Sequence, residues 1–297
     1  LPDGLPTGAS QRTATLAGLA AILLWASLAV LPSAPGTLPP FQVLAVSFGI
    51  AALLGLARAA LRGAAGWREL RQPGAALALS TLALFGYHAL YFIALKRAPA
   101  VEANLLNYLW PLLIVVFAGL VGGVTVRAGQ WAGTLLGLVA AALLVTRGHG
   151  LQVDRAHVPG YLAALGAAVI WAAYSVLNRR FADVPTAAIT VACAGVAVLG
   201  AAVHLLFERT VAPGAAQWLV LAVMGAGPVG AAFWLWDHGT KRGDIALLGS
   251  LSYLAPLLST LLLVISGRAE PHGIQAVAIA MLLAGAWLSV RSSRAAR

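Results

Sequence analysis

Four residues in one apolar stretch, Asn104, Asn107, Tyr108 and Pro111, recur at i, i+3, i+4 and i+7, the spacing that sets side chains on one helix face. Two amides, a phenol and a helix-breaking proline on one face can hydrogen-bond a small molecule, whereas lipid would reject them. A second stretch repeats the stripe as Gly249, Ser252, Tyr253 and Pro256. Two more stripes mix aromatic and polar groups: Phe85, His88, Tyr91 and Phe92, and Trp171, Tyr174, Ser175 and Asn178. Trp25, Trp234 and Trp236 lie well inside apolar runs, as does Trp110 beside Pro111, and each indole N–H needs a partner or a wet cavity. Together the stripes predict an aromatic-lined pocket with Asn, Tyr and His as hydrogen-bonding groups. The competing reading is that these groups only bond neighbouring helices and that the matched stripes are an inherited packing seam.

The carboxylates narrow the ligand. Glu69, Asp154, Asp183, Glu208, Asp244 and Glu270 fall in breaks or at helix starts. That leaves Glu102, which suits the helix N-terminus after Pro99, and Asp237, spaced to pair with Lys241. A site for cationic drugs would hold a buried carboxylate, and none is evident, so a neutral or zwitterionic ligand with an apolar ring fits better. His88 is the one histidine inside a run and away from its ends; it reads equally as a structural group, a substrate ligand or a proton carrier. The other histidines lack metal-ligand spacing. No Walker A loop, zinc signature or nucleophile elbow occurs. Gly225 to Gly230 spells a dinucleotide fingerprint, but inside an apolar run, where it reads as a kink or a close contact. The chain is therefore expected to be no enzyme, with no catalytic residue, metal or cofactor.

The elements that must position these stripes follow from composition. Of 297 residues, 61% are hydrophobic and 9% charged, too little charge to cover a soluble domain. About 20 apolar residues cross the roughly 30 Å of bilayer hydrocarbon. Such runs fall at 15–31, 41–61, 74–95, 99–122, 128–146, 159–178, 185–207, 215–238, 244–266 and 272–290, which predicts an all-α integral membrane protein of ten transmembrane helices. Pro39-Pro40, Pro73-Gly74, Pro99, Pro185 and Pro213-Gly214 punctuate them. The polar start, Leu1 to Thr15, lacks a cleavable-signal pattern, so the first run reads as a retained span.

The net charge of +10 forms no basic stripe interleaved with aromatics, so nucleic acid is not an expected partner. With the N-terminus in the cytoplasm, Arg12, Arg58, Arg62, Arg68, Arg71, Arg127, Arg179, Arg180, Lys241, Arg242, Arg291, Arg294 and Arg297 lie inside. Only Lys96, Arg97, Arg147, Arg155, Arg209 and Arg268 lie outside, which predicts both termini in the cytoplasm. Trp67, Trp131, Trp218 and Trp287 fit the interfacial belt. Cys193 reads as core packing, and the pairs Gly119 with Gly123 and Gly133 with Gly137 as helix contacts.

Lys96-Arg97, Tyr108-Leu109 and Pro111 return as Lys241-Arg242, Tyr253-Leu254 and Pro256, each 145 residues on, and Trp25-Ala26 returns as Trp171-Ala172 after 146. The expected organisation is an N-terminal tail, 1–14; a first five-helix repeat, 15–147; a linker, 148–158; a second five-helix repeat, 159–290; and a C-terminal tail, 291–297. An odd number of spans per repeat inverts the second copy, an architecture associated with secondary transporters.

The run Lys96-Arg97-Ala98-Pro99-Ala100-Val101-Glu102-Ala103-Asn104-Leu105-Leu106-Asn107-Tyr108-Leu109-Trp110-Pro111 resembles the EamA branch of the drug/metabolite transporter superfamily, and the family's pattern covers essentially all of the chain after residue 12. The resemblance implies a multi-pass protein of a bacterial cytoplasmic (inner) membrane that exports aromatic or similarly apolar amino acids by alternating access. On that reading Trp25, His88, Tyr91, Tyr108, Trp110, Trp171 and Tyr253 contact substrate, and Asn107 and Ser252 orient its polar ends. Pro111 and Pro256 break helices near the site, while Gly86, Gly227 and Pro228 permit bending. The implied partners are membrane lipids and the small-molecule substrate, with a monomer sufficient for function. Export of other metabolites or drugs stays open, as does, more remotely, an intramembrane enzyme for lipid-linked substrates.

Overall fold

The computed structural model describes residues 8–30, 38–146, 154–267 and 273–294. Arg147, His149, Arg268, Glu270 and His272 lie outside the described residues, as do the two ends of the chain.

In hydrocarbon a backbone can satisfy its polar groups only internally, so each apolar run is helical. The elements are α1 (Gly8–Ala26, continued by a 3-10 turn over Ser27–Val30), α2 (Pro40–Leu61), α3 (Gly63–Leu70), α4 (Gly74–Arg97), α5 (Ala100–Asn107), α6 (Trp110–Leu120) and α7 (Ala128–Thr146). Then follow α8 (Val158–Leu177), α9 (Ile189–Phe207), α10 (Ala215–Met224), α11 (Ala232–Arg242), α12 (Ile245–Leu251), α13 (Leu254–Ile265) and α14 (Gly273–Arg294). Among the described residues, nine helical stretches are long and apolar enough to cross a membrane. Helix α1 is not among them, yet its Ala14, Ala21, Ile22 and Ala26 are buried in the bundle. It starts before residue 15, and within this first stretch the Thr13 and Thr15 hydroxyls donate back to the carbonyls of Ala9 and Gln11.

The breaks have local causes. Proline lacks an N–H and suits a first helical turn, and Pro111 and Pro256 stand in the first turns of α6 and α13, after the short interruptions at Tyr108–Leu109 and Ser252–Tyr253. Gly227 and Pro228 lie in a π-helical segment, Gly225–Ala231, which joins α10 to α11. Helix α4 runs through Gly86 unbroken. Gly123 departs from expectation, lying beyond the end of α6 at φ 63° rather than in a helix contact. Helix α3 was not expected; it lies in a charged break, where Glu69 pairs with Arg62 at 3.0 Å and Arg58 at 3.4 Å.

The main pairings are α7 with α14, α2 with α9, α4 with α8, α1 with α11, and α6 with α12. With α3 left aside and each broken helix counted as one unit, exchanging every unit for the one five further along returns the same set. The close crossings use small residues: a Cβ on Gly133 would meet the Gly285 carbonyl at 2.3 Å, and one on Gly239 would meet Gly18 at 2.8 Å.

Candidate functional site

A cavity of about 370 Å³ lies among α1, α2, α4, α5, α6, α8, α13 and the π segment with its flanking turns, within the roughly 300–1,000 Å³ of small-molecule sites. It sits toward the end of the bundle where α1 finishes and α2 begins, as Leu28, Val43 and Leu44 in its wall indicate. At the opposite end the side chains of Trp236, Asp237, Thr240 and Lys241 are buried.

One wall is aromatic. Trp25 and Trp171 meet edge to face at 5.5 Å, Trp110 stands edge-on to Trp171 at 6.3 Å, and Phe233 lies 5.8 Å from both Trp25 and Trp171. Trp236 forms the layer beneath, stacked on Trp171 at 5.9 Å and wholly buried. Edge-to-face rings hold one another at fixed angles, so the wall is a rigid slot. Its indoles are partly satisfied within the protein: Trp25 Nε1 donates to the Pro228 carbonyl at 3.0 Å, and Trp236 Nε1 to Ser175 Oγ at 3.1 Å.

The other wall is polar and comes from α4 and α5. Tyr87 and Tyr91, one turn apart, stack in parallel at 6.1 Å. Tyr91 donates its hydroxyl hydrogen to Asn104 Oδ1, and Asn107 Nδ2 donates to the Tyr87 hydroxyl at 3.3 Å. Asn107 Oδ1 is buried with no hydrogen-bond partner in the protein, and so is Ser47 Oγ on α2. His88 sits among Phe48, Tyr87, Phe92 and Phe233. Its Nδ1 lies 2.7 Å from the Leu84 carbonyl. A carbonyl only accepts, so Nδ1 carries the proton and a neutral ring leaves Nε2 as an acceptor. No Asp, Glu, Lys or Arg lines the cavity among the described residues.

Of the expected substrate contacts, Trp25, His88, Tyr91, Asn107, Tyr108, Trp110 and Trp171 all line this cavity. Ser252 and Tyr253 do not. Ser252 is buried and its hydroxyl donates to the Leu248 carbonyl, while the Tyr253 ring packs against Gly137 of α7. Gly249 lies against Ile114, Val115 and the Pro111 carbonyl of α6. The second-half stripe is thus a packing seam, and α13 offers the cavity only Ala255 and Ser259. The α8 stripe also leaves the cavity after Trp171: Tyr174 is buried, Ser175 bonds the Trp171 carbonyl and Asn178 bonds Asp237. Trp234 lies beneath the Arg58 guanidinium at 4.7 Å, away from the cavity. Pro228 lines the cavity, whereas Gly86, Gly227, Pro111 and Pro256 do not.

Sequence reasoning missed Tyr87, Ser47, Phe48 and Phe233. Tyr87 carried a usable signal, standing four residues before Tyr91. Ser47 and Phe48 carried none, since α2 has no polar or aromatic stripe to single them out.

The model of the EamA-like transporter family matches this chain twice, over residues 12–146 and 158–291. The aromatic amino acid exporter YddG of Ancylobacter novellus is 47% identical over 96% of this chain and 99% of its own. The aromatic amino acid exporter YddG of Escherichia coli is 28% identical over 85% of this chain and 88% of its own. A solved crystal structure 46% identical to this chain superposes with a TM-score of 0.90, covering 96% of this chain and 99% of the other.

Proposed function

Because the chain belongs to the EamA-like transporter family, as a multi-pass protein of the bacterial inner membrane, we propose that it exports aromatic amino acids by alternating access. Both YddG relatives are aromatic amino acid exporters, and the proposed activity is transport rather than catalysis. The observation that carries the substrate is the division of one uncharged cavity into an aromatic wall and a polar wall. An apolar ring fits the slot of Trp25, Trp110, Trp171 and Phe233. The ammonium and carboxylate then face Asn107, Tyr87, Tyr91, Asn104 and His88. Asn107 Oδ1 and His88 Nε2 accept from the ammonium, and the Tyr108 hydroxyl donates to the carboxylate. A zwitterion needs no counter-ion of either sign, in keeping with a lining free of charged residues.

The transport unit in this reading is ten spans in two inverted five-helix repeats, with α1 as the tenth span and both termini in the cytoplasm. The symmetric pairings of α4 with α8 and of α1 with α11 support the repeat, and the bias of Lys and Arg supports the orientation. In that orientation the cavity opens to the outer side and the Asp237 end is sealed. The seams around Tyr253 and Gly133 close the bundle within one chain, so a monomer surrounded by lipid suffices.

The test is flux of labelled tryptophan or phenylalanine in proteoliposomes, compared with a cationic aromatic dye and run with and without a pH gradient. Saturable amino-acid flux without dye flux is expected. Absence of saturable amino-acid flux would overturn the substrate assignment.

A further inference from the structure

We propose that Asp237, Lys241 and Asn178 form the lock that holds the inner side shut, and that Lys96 is its counterpart, which locks the outer side when the cavity faces inward; this rests on the inverted-repeat reading above. Lys241 is buried near the inner end of α11, with its Nζ 3.0 Å from Asp237 Oδ1 and 3.1 Å from the Val184 carbonyl. Asn178 donates to the same carboxylate oxygen at 2.8 Å. The ion pair lies within α11; the Asn178 bond ties that helix to the end of α8 and the Val184 bond ties it to the turn before α9, and beside them Arg179 donates to the carbonyls of Thr240 and Gly243 at 2.9 and 3.1 Å. Water and substrate cannot reach the layer under Trp236 while they hold. Separating α11 from α8 and α9 on the inner side must break the Asn178–Asp237, Lys241–Val184 and Arg179 bonds, while the Asp237–Lys241 pair stays within α11.

The repeat supplies the other half of the cycle. Lys241 corresponds to Lys96 at the offset of 145, and Val184-Pro185 corresponds to Leu38-Pro39 at 146, the offset that also relates Trp171 to Trp25. Lys96 is exposed and makes no ion pair with a described residue. Two inverted copies exchange conformations between the two states of an alternating-access cycle. When the inner side opens, Lys241 therefore becomes exposed, and Lys96 turns inward to donate to the Leu38 carbonyl. The two locks are unequal. Asp237 corresponds to Phe92 and Asn178 to Pro32, so the outer lock has a carbonyl acceptor and no carboxylate. A buried ammonium that donates to both a carboxylate and a carbonyl is held more tightly than one given a single carbonyl, and the outward-facing state is the resting one.

The test uses the whole chain with Cys193→Ser and a reporter, Ser259→Cys, in the cavity wall. Right-side-out and inside-out vesicles are treated with a membrane-impermeant thiol reagent. Without further change the reporter should react from outside. Asp237→Asn should shift the ratio of outside to inside labelling about tenfold toward the inside, the change expected when a two-state balance loses roughly 1.4 kcal/mol. Because Asp237→Asn strands a buried lysine, the double variant Asp237→Ala/Lys241→Ala, which removes both charges, should give the same shift. Lys96→Gln should instead keep the reporter open to the outside. Unchanged labelling in a folded double variant would refute the lock. Labelling only from inside in the parent would refute the assumed orientation, and no outcome depends on which substrate is carried.

Discussion

Asn107→Leu should make the protein more stable and a worse transporter at once. Asn107 Oδ1 is buried without a protein partner, while its Nδ2 makes one long bond, 3.3 Å, to the Tyr87 hydroxyl. An unsatisfied buried acceptor costs about 1–3 kcal/mol, and a side-chain hydrogen bond in a membrane bundle contributes about 0.6 kcal/mol. Leucine matches the shape of asparagine, removes the first and loses the second, for a net gain of about 1 kcal/mol. The ammonium of a bound amino acid loses an acceptor, and a hydrogen bond to a charged group is worth about 1.5–3 kcal/mol. KM for tryptophan should therefore rise about ten- to a hundredfold. Thermal melting in detergent and labelled-tryptophan flux in proteoliposomes, measured on one preparation, read both signs. A lower melting temperature with unchanged KM would refute the argument, since it would make Asn107 a structural amide that bonds a helix and not a ligand.

Asn104→Asp introduces a carboxylate into a lining that has none, and should confer efflux of a cationic aromatic dye while reducing that of phenylalanine; dye flux in vesicles reads it. Gly133→Val places a branched side chain where a single Cβ would already meet Gly285 at 2.3 Å. It should part α7 from α14 and lower stability by more than the ~1–3 kcal/mol of ordinary overpacking, seen as loss of monodisperse protein in detergent. Glu208 accepts from the backbone N–H groups of Phe41 and Gln42 at the start of α2 and lies 2.9 Å from His204 Nδ1. Glu208→Ala should cost about 1–2 kcal/mol, as loss of a helix cap does, with substrate affinity unchanged.

The helices were legible because hydropathy and proline placement act locally. Residues 128–146, expected as a span, are helical as α7, and the break before it is written in charged and polar residues. Helix α3 was not legible, since Gly63 to Leu70 forms a helix only through its packing, with Leu70 buried beside Ala59 and Ala187. The site was legible on α4, α5 and α6, where Asn, Tyr, His and Trp stand out against an apolar background. It was illegible on α2, where Ser47 and Phe48 line the cavity only because α2 packs against the π segment: Gly225 approaches Ile50 and the Ser47 carbonyl closely enough that a Cβ would sit at 2.7–2.8 Å. No pattern within a single helix announces a contact of that kind.

The placement of Ser252 and Tyr253 outside the cavity lining bears on how a duplicated chain acquires a site. Repetition copies the backbone break and its proline, and both copies keep them, at Pro111 and at Pro256. It does not preserve the surroundings, because the two states of an alternating-access bundle are never occupied together, and one conformation must show one copy open and the other closed. The copy bearing Tyr108 faces the cavity, while the copy bearing Tyr253 packs on Gly137. On the proposed function, selection for an aromatic ligand then acts on whichever positions reach the ligand. Trp110 stands where the second copy has Ala255, and both line the cavity: a bulky ring on one side and a methyl group on the other leave room for a substrate ring that two tryptophans would fill. The asymmetry of the lining is thus what a symmetric scaffold needs to hold an asymmetric amino acid, and a stripe matched across both repeats marks shared architecture before it marks a shared binding site.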